Sequence, residues 1–333
     1  MKEFNIDLGR QRCAIRDEKF MPFPSLVDYK NNMYMCEDPW KIIDFYSSFN
    51  DADSLIRWMR ERPKGATYLH EVPGNNNVIV IIPTADAIGE KAQTMKEDVF
   101  KGLHLIFVES GEYPDKYFNY ANSCNVGIAR ALEYNPEWII ISNDDMYRID
   151  DLNTLTSELS KIPHNVDIVY TKPTPYHSIP SAIGTRRSLL FNSLRKIALA
   201  IKKRTILDEI SPELIRKFNI RYFWVDPTAI SSRILYRTIT RFVLTSSFAI
   251  LRARVCKTVD GKVFDDTYIN GVEDWGLSIN LCQRGSAQAF IDFKIGDKVG
   301  GTLGPPNQIQ RRLRNFANFT YFNQIFQLSA LQS

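Results

Sequence analysis

The chain lacks paired cysteines and any C-x-x-C. Its five cysteines, Cys13, Cys36, Cys124, Cys256 and Cys282, are odd in number and irregularly spaced. That argues against a disulfide framework and a structural zinc site, and reads as free thiols in a reducing compartment. No apolar run approaches the ~20 residues of a membrane span. The N-terminus lacks the apolar h-region of a signal peptide. No internal repeat is visible, so repeat architectures are set aside. There is no G-x-G-x-x-G after the first predicted strand and no G-x-x-x-x-G-K-[ST] anywhere. The ordinary dinucleotide and P-loop ways of cradling phosphates are therefore disfavoured. Strong net charge is missing too, at +4 over the whole chain.

What is present is an ordinary globular composition: 333 residues, 44% hydrophobic and 24% charged. That is enough chain for one large or two ordinary domains with a substantial core. Residues 1–74 read as an N-terminal extension packed on a larger body. Within it, Asp53 or Ser54 is placed to cap a helix carrying Leu55, Ile56, Trp58 and Met59. Val72-Pro73-Gly74-Asn75-Asn76-Asn77 is a breaker cluster and the expected boundary.

After it, Val78–Ile82 is a fully apolar strand, expected to stop at Pro83. A helical stretch covers 89–101. Leu103–Val108 is a second buried strand, ending in Glu109-Ser110-Gly111. A second helix covers about 117–134. The third strand, Trp138–Ile141, ends in Asn143-Asp144-Asp145. This β-α-β-α-β order with short connections predicts an α/β fold with a right-handed parallel sheet. Thr84, Glu109 and Asp145 then share the carboxyl rim where open α/β sheets bind ligands. Adjacent carboxylates repel and favour a cation beside them, and oxygen ligands suit Mg²⁺ or Mn²⁺. The competing reading is a solvated acidic turn. A helix follows from Asp150-Asp151-Leu152 to Ser160, then a strand at Val166–Tyr170.

Two basic or aromatic stretches stand apart. Arg186 to Arg204 carries Leu190, Leu194, Ile197 and Ile201 at helical spacing. It reads as the solvated face of a packed helix, or as a contact with an anionic membrane surface. No recognisable nucleic-acid module surrounds it. The tail from Gln308 reads as an amphipathic helix covering the core, a partner subunit or a membrane interface. A second acidic spot, Phe264-Asp265-Asp266 followed by Glu273-Asp274-Trp275-Gly276, sits where a helix begins. The positive end of the helix dipole there favours ionised carboxylates, and such a group can take a proton from a hydroxyl.

The series Ile82-Pro83-Thr84, Val108-Glu109-Ser110-Gly111, Asn125-Val126-Gly127-Ile128, Asn143-Asp144-Asp145 and Phe264-Asp265-Asp266 with Glu273-Asp274 resembles the GT-A-fold glycosyltransferases of family 2, over about 75–300. The resemblance implies a Rossmann-like, mostly parallel sheet as the catalytic domain (75–305), with a basic helical insertion at about 176–240 and a tail at 306–333. It places the metal-binding D-x-D motif on Asn143-Asp144-Asp145, in its N-x-D variant, with Asp145 as ligand. Thr84 and Glu109 fall where the family contacts base and ribose, and Asn125 at its nucleotide-side Asn. Asp274 matches the catalytic base, with Glu273 beside it, and Asp297 stands where many members carry a metal-binding His. Thr245-Ser246-Ser247 matches a segment near the acceptor. The processive Q-x-x-R-W signature is absent, so the resemblance implies single transfers. The function it implies is metal-dependent, inverting transfer of a sugar from a nucleotide-diphosphate donor, with Mn²⁺ or Mg²⁺. The acceptor would be a glycan, a protein or a lipid-linked hydroxyl. A cytoplasmic enzyme is expected, with peripheral membrane contact and a homodimer left open. A nucleotidyltransferase of similar sheet, or a non-catalytic basic-surface protein, are the alternatives.

Overall fold

The computed structural model describes residues 12–13, 38–110, 117–172, 212–218, 247–257, 259, 261–297, 313 and 315–326. Its strands are β1 (Arg12–Cys13), β2 (Thr67–Val72), β3 (Asn75–Thr84), β4 (Leu103–Ser110), β5 (Trp138–Ser142), β6 (Met146–Arg148), β7 (Val166–Thr171), β8 (Phe248–Arg252), β9 (Ala287–Ile291) and β10 (Ile295–Asp297). The helices are α1 (Pro39–Ser47), α2 (Ala52–Glu61), α3 (Glu90–Thr94, continued by a π-turn at Met95–Val99), α4 (Tyr120–Leu132), α5 (Leu152–Ser160), α6 (Pro212–Lys217), α7 (Ala253–Lys257), α8 (Glu273–Gln283) and α9 (Phe316–Phe326). The basic stretch Arg186–Arg204, Thr245, Ser246 and the tail before Leu313 lie outside the described residues.

The main sheet runs β1-β2-β4-β3-β5-β8-β7-β9. It is parallel at its centre, β4-β3-β5, and again between β7 and β9; its other ladders are antiparallel. The fold is α/β with a mixed sheet flanked by helices, compatible with a Rossmann-like arrangement. β10 pairs with β6 in a small separate sheet.

The central strands form because both faces are covered. Ile79, Ile81, Ile106, Ile139 and Ile141 pack under α4 and α8 on one side. Val80, Ile82, Leu105, Phe107 and Ile140 pack against α3 and α5 on the other. Each large apolar side chain so buried contributes roughly 1.5–3 kcal/mol. Helix starts are set by acids and an amide. Asp38 accepts from Trp40 N at 2.9 Å, Asn119 from Asn122 N at 2.8 Å and Asp151 from Thr154 N at 3.0 Å. The cap of α2 is Asp51, which accepts from Ser54 N at 2.7 Å in a capping box, rather than Asp53 or Ser54. Three helical residues, Ala52 to Ser54, therefore precede the apolar stripe that starts at Leu55.

Pro83 does not end β3. The strand runs on to Thr84, paired with Glu109 of β4. Pairing with β5 has already stopped at Ile81. Pro83 therefore sits where the strand has a ladder on one side only, a place that tolerates a missing N–H. The breaker cluster at 72–77 is a crossing. β2 and β3 lie on opposite edges of β4, and the chain passes over the start of β4 at Gly74. The segment before residue 75 thus gives a strand to the same sheet.

A third apolar cluster joins α1, α2, α6 and α9 to the chain at Tyr268–Val272. The tail helix covers the protein's own surface here, with Phe316 and Ala317 buried. Asn318, in the sequon Asn318-Phe319-Thr320, is fully buried and its amide bonds Ile269 on both sides.

A Cβ on Gly74 would lie 2.4 Å from the Leu103 carbonyl carbon, which is main chain and cannot swing aside. Gly74→Ala should cost about 1–3 kcal/mol in urea unfolding, as overpacking does. An unchanged midpoint would show that the crossing is not tight.

Candidate functional site

The strand ends bring Thr84 and Glu109 side by side in the β3–β4 register. Thr84 Oγ1 donates to Asp144 Oδ2 at 2.8 Å, and Lys91 Nζ of α3 reaches Asp144 Oδ1 at 3.3 Å. Glu109 Oε2 accepts from Ala87 N at 3.1 Å. His70 Nε2 also lies 3.1 Å from that oxygen, without the alignment of a hydrogen bond. Loop 85–89 is thereby tied down over the rim.

Asp145 is about half-buried, and its Oδ1 is buried with no hydrogen-bond partner. Burial first, then the Asp144 charge and more weakly Asp297, holds its carboxyl above the usual range; Lys91 opposes the rise. Asp297 arrives through β10, whose register sets it opposite Met146. Burial raises Asp297 as well. The charges of Asp144 and, more weakly, Asp297 thus both act on Asp145 at this corner. A divalent cation would relieve their repulsion and give Asp145 Oδ1 a partner. Among the described residues, no group of three or more His, Cys, Asp or Glu side chains is gathered tightly enough to hold an ion alone. Oxygens of a substrate would have to complete the shell, as Mg²⁺ usually requires.

The second acidic pair opens α8. The turn before it is strained. Asn270 has φ 46° and Val272 has φ 70°, and a β-branched residue in the left-handed region is a genuine outlier. Glu273 is only 4% exposed, and its Oε2 has no hydrogen-bond partner. Burial, then the neighbouring Asp274 charge, raises its carboxyl well above the usual glutamate range. Asp274 is partly exposed, and its Oδ1 accepts from Trp275 N at 2.9 Å.

Tyr120 links the two acidic spots. Its hydroxyl donates to Asn143 Oδ1 at 3.2 Å. Burial raises the Tyr120 hydroxyl far above its ordinary value, and Cys124, Glu273 and Asp274 add to the rise. The turn at 143–145 and the start of α8 thus flank the first turn of α4. That turn is fixed in place: Asn119 Nδ2 donates to the carbonyls of Asp266 and Tyr268 at 2.9 Å each, and Tyr120 N donates to Asn270 Oδ1 at 2.7 Å.

Asn125, expected on the nucleotide side, clamps the 264 segment: its Nδ2 donates to the Phe264 carbonyl at 2.8 Å and its Oδ1 accepts from Phe264 N at 2.9 Å. Asn143 likewise spends Oδ1 on Tyr120, and its N–H donates to the Ser247 carbonyl at 3.0 Å. Lys91, His70 and Tyr120 were not singled out by sequence. A lone lysine, histidine or tyrosine carries no spacing signal; the β2–β4 register places His70, and the starts of α3 and α4 place Lys91 and Tyr120.

No family model matches the chain, and no curated protein matches its sequence.

Because the folded-state pKa of Glu273 is raised, the unfolded chain gives up that proton first as pH climbs. Stability is therefore lost above the ordinary glutamate range, up to the folded-state pKa. Glu273→Gln removes this loss. Its melting temperature should exceed wild type by about 2 °C or more near pH 7.5, with little difference near pH 4. A pH-independent difference would show that Glu273 ionises normally.

Proposed function

We propose that the chain is a metal-dependent, inverting glycosyltransferase with a GT-A catalytic domain, transferring a sugar from a nucleotide-diphosphate donor to an acceptor hydroxyl. The observation that carries this reading is the placement of two sequence-distant acidic pairs near Tyr120: its hydroxyl bonds Asn143, next to Asp144-Asp145, and it feels the charges of Glu273 and Asp274. One is at a strand-end rim suited to a diphosphate and the other at a helix start.

Asp145 and Asp297 would hold the cation, given the orphaned Asp145 Oδ1 and their shared corner. Bound there, a divalent ion supplies charge neutralisation on the diphosphate leaving group. Thr84 and Glu109 lie beside each other at the nucleoside end. Asp144 is held at the rim by Thr84 and Lys91 without needing the ion itself.

Asp274 is the better base of its pair. It is the more exposed of the two, whereas burial and Asp274's own charge keep a proton on Glu273. Asp274 accepts the proton of the acceptor hydroxyl as that oxygen attacks the anomeric carbon. The new C–O bond forms on the face opposite the departing oxygen. The C–O bond to the diphosphate breaks, and its electron pair leaves with the phosphate. One displacement inverts the anomeric centre, and no covalent enzyme intermediate is formed. A nucleotidyltransferase would use the rim but leave the Glu273-Asp274 pair without a task. Among the described residues, no helix is long and apolar enough to cross a membrane. A lipid-linked acceptor would therefore have to be reached from its surface.

With donor, acceptor and Mn²⁺ supplied, Asp274→Asn and Asp145→Ala should each lower transfer at least ~10²-fold. Transfer near the wild-type rate in both variants would refute the reading. Separately, a nucleoside diphosphate plus Mn²⁺ at about 100 times Kd should stabilise the wild type by about 2.7 kcal/mol. EDTA or Asp145→Ala should abolish that gain in a thermal melt.

A further inference from the structure

A pocket of about 270 Å³ lies on the flank of the domain, clear of the acidic rim. Its position follows from how the chain climbs along α4. A side chain at Gly261 would meet Ala129, Phe264 is clamped by Asn125, and Asp266 and Tyr268 are held by Asn119 at the top. The pocket opens beside the lower part of this climb, against the second half of α8. Arg284 on its wall lies about 15 Å along the helix from Asp274, at 1.5 Å per residue.

Most of its lining is polar, but Val255, Val263, Leu277 and Leu281 give it one apolar side, its floor. Two acids line the wall, and both are engaged. Asp265 accepts from Tyr321 Oη at 2.6 Å and from Thr267 N at 3.0 Å. Asp266 Oδ1 faces Lys64 Nζ at 3.7 Å. The cations at the mouth, Lys262 and Arg284, are exposed, and their side chains make no ion pair with a described residue.

We propose that this pocket is a second ligand site, for a small organic anion with one phosphate-monoester or carboxylate head and a short apolar body. The head would sit between Lys262 and Arg284, where charge-assisted hydrogen bonds are strongest. The body would cover the Val255–Leu281 floor, as the apolar lining of small-molecule sites requires. A bare inorganic anion leaves that floor wet, and a neutral hydrophobe leaves both cations unmatched. The volume corresponds to about nine waters, which sets a ligand of single-ring size and excludes a nucleotide sugar. Such a ligand touches both the Phe264 segment and α8. Occupancy therefore braces the two pieces of chain that meet at Glu273-Asp274. The site does not depend on glycosyl transfer being the reaction.

The test uses the full chain in EDTA, with no nucleotide, and phenyl phosphate as the probe in isothermal titration. Saturable binding with Kd of about 1 mM is expected for a probe of this size. Inorganic phosphate alone should bind at least tenfold more weakly. The double variant Lys262→Ala/Arg284→Ala should weaken phenyl phosphate at least tenfold. Asn280→Trp, on an exposed wall position, should block the pocket to the same extent with both cations kept. Hydrogen exchange of the Phe264 and Tyr268 amides should slow at least twofold at saturation. Absence of saturation in the wild type overturns the proposal, and so does equal binding by wild type and both variants. The presence of EDTA separates this outcome from any failure of metal-dependent transfer.

Discussion

The site depends on a set of main-chain hydrogen bonds made by three amides. Asn119, Asn125 and Asn270 fasten the first turns of α4 to the segment between Phe264 and Asn270. Each of these bonds satisfies a polar group that would otherwise be buried without a partner, at a cost of about 1–3 kcal/mol. Remove them and the chain leading into α8 has no reason to hold Val272 in a left-handed conformation. The acids behind it would then have no fixed position relative to Tyr120. The pairing of the two acidic spots is therefore a result of amide chemistry in a helix, not of the acids themselves, whose mutual repulsion works against it.

Charge explains why such a framework is needed. Asp145, Asp297 and Glu273 all have carboxyls raised by burial. Lys91 offsets part of this at the rim, through Asp144 and more weakly at Asp145. A protein arranges such unfavourable groups where binding or reaction repays them. Here the cost is spread across a sheet whose central strands are buried on both faces.

How much of this was legible in sequence follows from the kind of signal each part carries. Val78–Ile82, Leu103–Val108 and Trp138–Ile141 are strands covered on both faces, so they read as unbroken apolar runs, and the rim positions of Thr84, Glu109 and Asp145 followed. The sheet order did not. Nothing local says that β2 joins the far edge of β4, or that antiparallel β8 lies between β5 and β7. The main-chain bonds of Asn125 were not foreseen, because an amide in a helix looks the same whether it faces a ligand or a backbone. Pro83 was misread because its tolerance depends on where the neighbouring strand ends. His70 reaches the rim only through strand register, and Lys91 only through the way α3 follows β3. The acidic pairs themselves were visible. The Tyr120 link between them was not.

The third apolar cluster has a consequence for how the protein is made. The Tyr46 hydroxyl donates to the Leu313 carbonyl across 267 residues of sequence, and Tyr46 also packs on Phe316 at 4.7 Å between ring centroids. During synthesis at roughly 5–20 residues per second, α1 and α2 emerge on the order of tens of seconds before the helix that covers them. α1 and α2 thus wait, with their aromatic face uncovered, until the 267 residues between Tyr46 and Leu313 have been made. The helix that then shelters them also buttresses Tyr268–Val272, so the turn leading into the acids of α8 gains that support only once α9 has emerged.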